Sequence, residues 1–131
     1  MTIRVSDLKS QKIFSYLNEE ELQHLCDSGL VQNYNKGEFL IREGSLNHFL
    51  FFIAKGTVHI KSYGVRVAKL SSGSLIGEVS VTGLGSPIAD VIATGPVSTF
   101  KFSIEIINKI AAKNKTFATY LHDKAMATVL R

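Results

Sequence analysis

The run Phe49-Leu50-Phe51-Phe52-Ile53-Ala54 is the densest apolar stretch of this 131-residue chain. It is rich in aromatic side chains, and the turn signal Lys55-Gly56 follows it directly. Because residues on both alternating faces are apolar, the run predicts a central strand that is covered on each side. We expect the helices predicted at the two ends of the chain to provide this cover.

Similar short runs, rich in Val, Ile, Phe and Thr, extend on both sides of this strand from Leu30 to Phe102. None exceeds about eight residues, and glycine turns separate them. Regular spacing of this kind predicts a β-sandwich or β-barrel. The turns are Lys36-Gly37, Glu43-Gly44-Ser45, Lys55-Gly56, Tyr63-Gly64, Ser72-Gly73 and Thr94-Gly95-Pro96.

Two short helices are predicted before the strands, and the second has signals at both of its ends. Asn18 and Glu21 have the spacing of a capping box, and Leu17 faces Leu22 as a hydrophobic staple. Ser28-Gly29 ends the apolar periodicity, which predicts a left-handed C-terminal cap.

After Phe102 the apolar period becomes helical again, and we predict two closing helices. Ser103 suits the cap of the first, and Asn114 marks the break before the second. The apolar stripe of the second helix consists of Phe117, Tyr120, Leu121, Ala125 and Val129. This stripe suits a homodimer, another protein partner, a lid over a ligand, or packing on its own barrel.

Composition limits the class of protein. Hydrophobic residues make up 45% and charged residues 20% of the chain, as in soluble globular domains. Cys26 is the single cysteine, so no disulfide is expected, and its place on an apolar helix face predicts a small buried side chain. The net charge of +4 favours anionic partners. We find no secretion signal or membrane span, and we expect a cytoplasmic protein without membrane contact.

The segment Leu75-Ile76-Gly77-Glu78-Val79-Ser80-Val81 is the candidate binding site. A glycine enters the turn, a carboxylate follows, and the next residues suit a single helical turn with unpaired backbone amides. Such amides bind anions without a charged side chain, and Glu78 could accept hydrogen bonds from ligand hydroxyls. The pattern suits a ligand that carries a phosphate beside a ribose, although Gly-Glu alone is also a common surface turn.

The sequence gives less support to metal binding, catalysis or nucleic-acid binding. The four histidines are scattered without metal-ligand spacing, and no nucleophile motif or partner for Glu78 in acid–base catalysis is visible. We therefore expect neither a metal site nor an enzyme. Lys109, Lys113 and Lys115 form a basic cluster that is better explained as a solvated helix face than as a nucleic-acid contact.

The order of motifs resembles the cyclic-nucleotide-binding domain family, which includes catabolite activator proteins, regulatory subunits of cyclic-AMP-dependent kinase and gated ion channels. The resemblance covers nearly the whole chain. It implies a mainly β, jelly-roll-like barrel with N-terminal helices and two C-terminal helices. One domain over residues 1–131 is then expected, with helices in 1–29, the barrel in 30–102 and helices in 103–131. The quoted motifs are Tyr34–Ser45, Phe51–Val58, Gly73–Glu78 and Ala89–Val91.

The resemblance also implies roles for single residues. Gly77 would be the turn glycine, Glu78 the acceptor for the ribose 2′-hydroxyl, and the amides of Val79 and Ser80 the phosphate donors. The implied ligand is cyclic AMP or cyclic GMP, without another cofactor. Family members that bind DNA do so through a further domain, so we expect no DNA binding by this chain alone.

In the family, the Gly-Glu turn opens a cassette that holds the cyclic phosphate and the ribose, which here would be Gly77–Val91. The end of this cassette departs from the family pattern. In an ungapped match Pro87 takes the place of the phosphate-binding arginine, and Ile88 replaces a small residue before Ala89. Asp90 would repel a phosphate unless strand alternation turns it away. Arg66 and Lys69 could replace the missing charge or be solvated strand residues. The sequence thus predicts either a sensor with weakened binding or a degenerate domain that acts as an interaction module.

Overall fold

A computed structural model describes residues 3–9, 12–78, 87 and 89–129, with the backbone alone at 128 and 129. The helices before the strands are α1 (Val5–Lys9), a 3-10 helix (Lys12–Tyr16) and α2 (Glu19–Ser28). The strands are β1 (Leu30–Tyr34), β2 (Phe39–Ile41), β3 (Phe49–Lys55), β4 (Thr57–Ser62), β5 (Val65–Ser71), β6 (Leu75–Ile76), β7 (Asp90–Ala93) and β8 (Val97–Ser103). The closing helices are α3 (Ile104–Lys113) and α4 (Lys115–Val129).

The strands form two four-stranded sheets in the orders β1-β8-β3-β6 and β2-β7-β4-β5, with antiparallel pairing in each. Chain neighbours such as β1 and β2 lie in different sheets, so the connections cross between the two layers. The predicted fold class, a jelly-roll-like β structure with helices at both ends, is confirmed.

Strand β3 is covered on both faces, as its sequence predicts. Leu50 and Phe52 belong to the apolar cluster that includes the helices, whereas Phe51 and Ile53 belong to the cluster between the two sheets. The helices therefore cover one face only, and the second sheet covers the other.

The helices are anchored on their sheet by Phe14 of the 3-10 helix, which is fully buried. Its ring makes edge-on contacts with Phe52 and Phe102, with 6.0 Å between centroids in each case. Edge-to-face packing of this kind adds about 0.5–1.5 kcal/mol per pair beyond area burial. Because the second sheet has no such helical layer in the described chain, its outer face stays partly exposed, most of all along β5.

Helix α2 begins as predicted but ends differently. The Glu21 amide donates to Asn18 Oδ1 at 2.8 Å, and the Asn18 amide donates to Glu21 Oε1 at 2.9 Å, which confirms the capping box. The left-handed cap at Gly29 is wrong, because its φ and ψ are −75° and 155°. A Cβ on Gly29 would lie 2.7 Å from Phe102 Cε1, so the position needs glycine for space.

The closing helices also confirm their predicted ends. Ser103 Oγ accepts from the Ile106 amide at 3.3 Å, and Asn114 lies between the helices. Asn114 Oδ1 accepts from the Phe117 amide at 3.1 Å, while its Nδ2 donates to Tyr16 O at 2.9 Å. The residue at the break thus joins the C-terminal helices to the N-terminal ones.

The apolar stripe of α4 packs within its own chain. Phe117, Leu121 and Ala125 are at most 2% exposed, and the Tyr120 ring lies 5.2 Å from that of Tyr16. The domain itself therefore covers these three residues, and a dimer or partner surface through the stripe stays a prediction. The side chain of Val129 lies outside the described residues. Within the described chain, no helix is long and apolar enough to cross a membrane.

Candidate functional site

Gly77 follows β6 directly and fits its site only as glycine. Its φ is +98°, a conformation that side chains disfavour. A Cβ there would lie 2.6 Å from Phe49 O and 3.0 Å from Asn47 Nδ2. The turn is therefore pressed against the beginning of β3, and any side chain at position 77 would force the two segments apart.

Glu78, the next residue, is only 8% exposed. It is the one charged side chain among the buried residues that the structure describes. Burying a carboxylate is costly unless hydrogen bonds satisfy it. Since an ionised carboxylate can only accept hydrogen bonds, this position suits ligand donors such as hydroxyls.

The other end of the candidate cassette contacts the loop that joins β2 to β3, residues 42–48. Pro87 O accepts from the Gly44 amide at 2.9 Å, and Asp90 Oδ1 accepts from the Glu43 amide at 2.8 Å. Val91, the next residue of β7, belongs to the cluster between the sheets, so Asp90 alternates to the outer face, as one of its two interpretations requires.

The β2–β3 loop also contacts the first end of the cassette. Asn47 Nδ2 donates to Phe49 O at 2.8 Å, and both atoms border Gly77. The two described ends of the cassette therefore lie against one loop. Sequence reasoning missed Asn47, although an Asn two residues before a strand is a recognisable turn signal.

The same loop reaches helix α3. His48 O accepts from the Ile104 amide, the first of that helix, at 2.9 Å. His48 is the residue between Asn47 and Phe49, so the segment that packs on Gly77 also holds the N-terminus of α3. No sequence pattern could have revealed this contact, because it joins residues distant in the chain.

The predicted site residues are described only in part. Gly77, Glu78 and Ala89 lie within the described chain, and Ala89 is half-buried. Val79, Ser80 and Ile88 lie outside the described residues.

Arg66 and Lys69 lie on the outer face of the second sheet. Both are exposed on β5, where they pair with Lys61 and His59 of β4. Since Val58 and Ile60 of β4 face the inter-sheet cluster, the alternating His59 and Lys61 face outward, and so do their partners. The solvated interpretation of Arg66 and Lys69 is confirmed. Within the described ranges, no three His, Cys, Asp or Glu residues are grouped to hold a metal ion.

Comparison with known proteins gives consistent matches. The family model of the cyclic nucleotide-binding domain matches residues 31–114. The cAMP-dependent protein kinase regulatory subunit of Debaryomyces hansenii is 33% identical over 75 residues, which cover 56% of this chain and 17% of that protein.

Solved structures share the fold at low identity. The regulatory domain of Toxoplasma gondii PKA with cAMP has a TM-score of 0.80 at 20% identity, over 92% of this chain and 48% of that one. The regulatory subunit of a cAMP-independent protein kinase A from Trypanosoma cruzi, bound to guanosine, has a TM-score of 0.75 at 17% identity, over 81% and 38%. This chain therefore spans less than half the length of these relatives.

Proposed function

The chain belongs to the cyclic nucleotide-binding domain family, and we propose that it is a regulatory sensor that binds cyclic AMP or cyclic GMP weakly and signals through its C-terminal helices. The observation that carries this proposal is the buried carboxylate of Glu78 directly after the tightly packed Gly77. Glutamate is among the residues least often buried, so its burial here marks this turn as a candidate site.

The proposed contacts follow from the chemistry of each group. Glu78 accepts a hydrogen bond from the ribose 2′-hydroxyl, and the amides of Val79 and Ser80 donate to the cyclic phosphate. Ile88 and Ala89 line the other end of the cassette. Gly77 brings these groups together, because it allows a turn that a larger residue would block.

The binding is weak because the phosphate lacks a cation. Pro87 has neither a charge nor a backbone N–H, whereas a charge-assisted hydrogen bond contributes about 1.5–3 kcal/mol. Its absence weakens binding by about 10- to 100-fold. Arg66 and Lys69 are exposed on the outside of the second sheet, where they do not compensate for this loss.

Signalling would use the contact between the β2–β3 loop and helix α3. A ligand that contacts Gly77 and Glu78 shifts Asn47 and Phe49, which border Gly77. His48 lies between them and holds the Ile104 amide, so the first turn of α3 moves with the loop. Such coupling requires that the ligand bind the two positions of the helix with different affinity.

A nucleoside without phosphate is a second candidate ligand, and Pro87 is the observation that favours it. Guanosine keeps the ribose hydroxyl that Glu78 would bind and has no phosphate charge to neutralise. The guanosine-bound structure from Trypanosoma cruzi has a similar fold.

The alternative function is a degenerate domain that binds no nucleotide and acts as a protein-interaction or dimerisation module. Pro87 and Ile88 favour it, since both depart from the family cassette. Asp90 no longer adds to this case, because its carboxylate holds the Glu43 amide.

Calorimetric titration with cyclic AMP, cyclic GMP and guanosine separates these functions, using the wild-type chain and Glu78→Gln. We expect weak binding by the wild type and a loss of about tenfold or more in Glu78→Gln, since charged acceptors hydrogen-bond more strongly than neutral ones. Glu105→Gln, an exposed change on α3, is the matched control. Thermal unfolding of each variant without ligand checks the fold.

Two results would contradict the sensor. Absence of heat with every ligand at millimolar concentration would support the degenerate module. Unchanged binding in a folded Glu78→Gln variant would move the site away from the cassette.

A further inference from the structure

The β4–β5 hairpin combines exposed apolar residues with a cluster of cations. Tyr63 is 90% exposed, Val65 65% and Val67 60%. Directly behind this tip, Lys61 and Arg66 pair across the strands, and His59 pairs with Lys69 further back. Large exposed apolar residues that lie together generally mark an interaction site.

The turn at the tip is also unusual in its sequence. Tyr63 and Gly64 have φ values of 52° and 78°, the pattern of a two-residue turn that favours Asn-Gly. A bulky residue at positive φ is disfavoured. Tyrosine is therefore not the residue that the turn geometry selects, and its side chain projects into solvent.

The cations behind the tip create a positive surface. Partial desolvation, together with the charges of Arg66, Lys61 and Lys69, lowers the pKa of His59. Two acids border the hairpin, because Asp90 lies opposite Lys61 and accepts from the Glu43 amide, and Glu43 Oε1 accepts from Ser62 Oγ at 3.4 Å. The three cations Lys61, Arg66 and Lys69 outnumber these two carboxylates. The outward face of the hairpin thus matches an anionic partner.

We propose that this hairpin docks on an anionic lipid surface, with Tyr63 and Val65 entering the interfacial layer and Lys61, Arg66 and Lys69 contacting headgroup phosphates. This arrangement matches the surface of a bilayer, where apolar chains lie beneath charged headgroups. The apolar residues form the tip of the hairpin, and the cations lie one to four residues behind it in the chain. Tyrosine suits this interface because its ring is apolar and its hydroxyl polar. The expected absence of membrane contact rested on the lack of a spanning segment, which peripheral docking does not need.

Other occupants fit less well. A second copy would bring the same cations face to face, which is unfavourable. An acidic peptide would bind best in a groove, whereas these residues form the projecting end of a hairpin. A flat, deformable bilayer requires no such groove.

Vesicle co-sedimentation tests the proposal. The wild-type chain should bind phosphatidylcholine vesicles that contain phosphatidylserine, bind pure phosphatidylcholine vesicles far less, and lose binding at high salt. Arg66→Glu with Lys69→Glu should weaken binding by about tenfold or more, since each charge near the surface contributes measurably. Lys109→Glu with Lys113→Glu makes the same charge change on exposed positions of α3 and should have a smaller effect.

The apolar tip needs its own variant. Tyr63→Asn with Val65→Thr removes apolar surface and places a favoured residue in the turn, so the fold should be at least as stable while vesicle binding falls about tenfold. Leu46→Asn, at another apolar position that is 82% exposed, should leave binding unchanged.

Three results would overturn the proposal. The first is that the wild type does not bind vesicles at low salt. If it binds soluble polyglutamate under the same conditions, the partner is an acidic protein instead of a lipid surface. The second is equal loss in the hairpin and α3 charge variants. The third is full binding by the Tyr63→Asn, Val65→Thr variant, which would indicate adsorption by charge alone.

Discussion

At the scale of residues, two glycines show that a sequence predicts where glycine is required but not the physical reason for it. Gly77 and Gly29 both follow secondary-structure elements, and both predict special backbone conformations. Gly77 has a positive φ, whereas Gly29 is extended and lacks room for a side chain. The sequence identifies both positions but cannot separate the two causes, because crowding at Gly29 comes from Phe102, which is distant in the chain and adjacent in space.

Gly29→Ala should destabilise the fold although its backbone conformation suits alanine. The new Cβ would lie 2.7 Å from Phe102 Cε1 and 2.9 Å from Leu25 O, and overpacking of this kind costs about 1–3 kcal/mol. Gly95→Ala is the matched control, since a Cβ there meets nothing within 4 Å. Urea unfolding of both variants measures the difference; equal stability would contradict the close packing.

His59 should titrate below the ordinary pKa of 6.5, because partial desolvation and the charges of Arg66, Lys61 and Lys69 disfavour its protonated form. The unfolded chain then binds a proton more readily than the folded one. The free energy of unfolding therefore decreases as the pH falls below the ordinary pKa of 6.5. Lys69→Gln should raise the pKa measured by NMR, and Lys109→Gln should not. An unchanged value in Lys69→Gln would argue against the cation cluster.

At the scale of elements, the sequence predicts helix ends that depend on neighbouring residues, but it does not predict contacts between residues far apart in the chain. The capping box of α2 and the cap of α3 each involve residues three positions apart, and both were predicted. Asn114 was recognised as a break, but its hydrogen bond to Tyr16 O spans 98 positions. The α4 stripe was likewise readable as apolar, while the surface that covers it depends on the fold.

Phe117→Ala tests which surface covers that stripe. Phe117 is fully buried within its own chain, so the substitution should cost about 3–5 kcal/mol at every protein concentration. Thr119→Ala, on the exposed side of the same helix, should change little. If the wild-type stability instead rises with protein concentration and Phe117→Ala abolishes that rise, the stripe pairs with a second copy.

At the scale of the whole molecule, the sheets bring Gly77 and Pro87 to one loop, which no local pattern predicts. The sequence could identify the fold class, and it predicts the cassette from residues that are neighbours in the chain. It could not show that Asp90 holds the β2–β3 loop or that His48 joins this loop to α3, because both contacts depend on how the strands pair. The partly exposed outer face of the second sheet is also a property of the whole molecule, since the described helices pack on the other sheet.

The central claim is that the cassette binds a cyclic nucleotide weakly because Pro87 replaces a cation. Calorimetric titration of Pro87→Arg tests it most directly, since the substitution retains the backbone carbonyl that Gly44 binds. We predict about 10- to 100-fold tighter binding of cyclic AMP or cyclic GMP, no gain for guanosine, and no gain in Pro87→Ala. Unchanged affinity for cyclic nucleotides in a folded Pro87→Arg variant, or an equal gain for guanosine, would contradict the account.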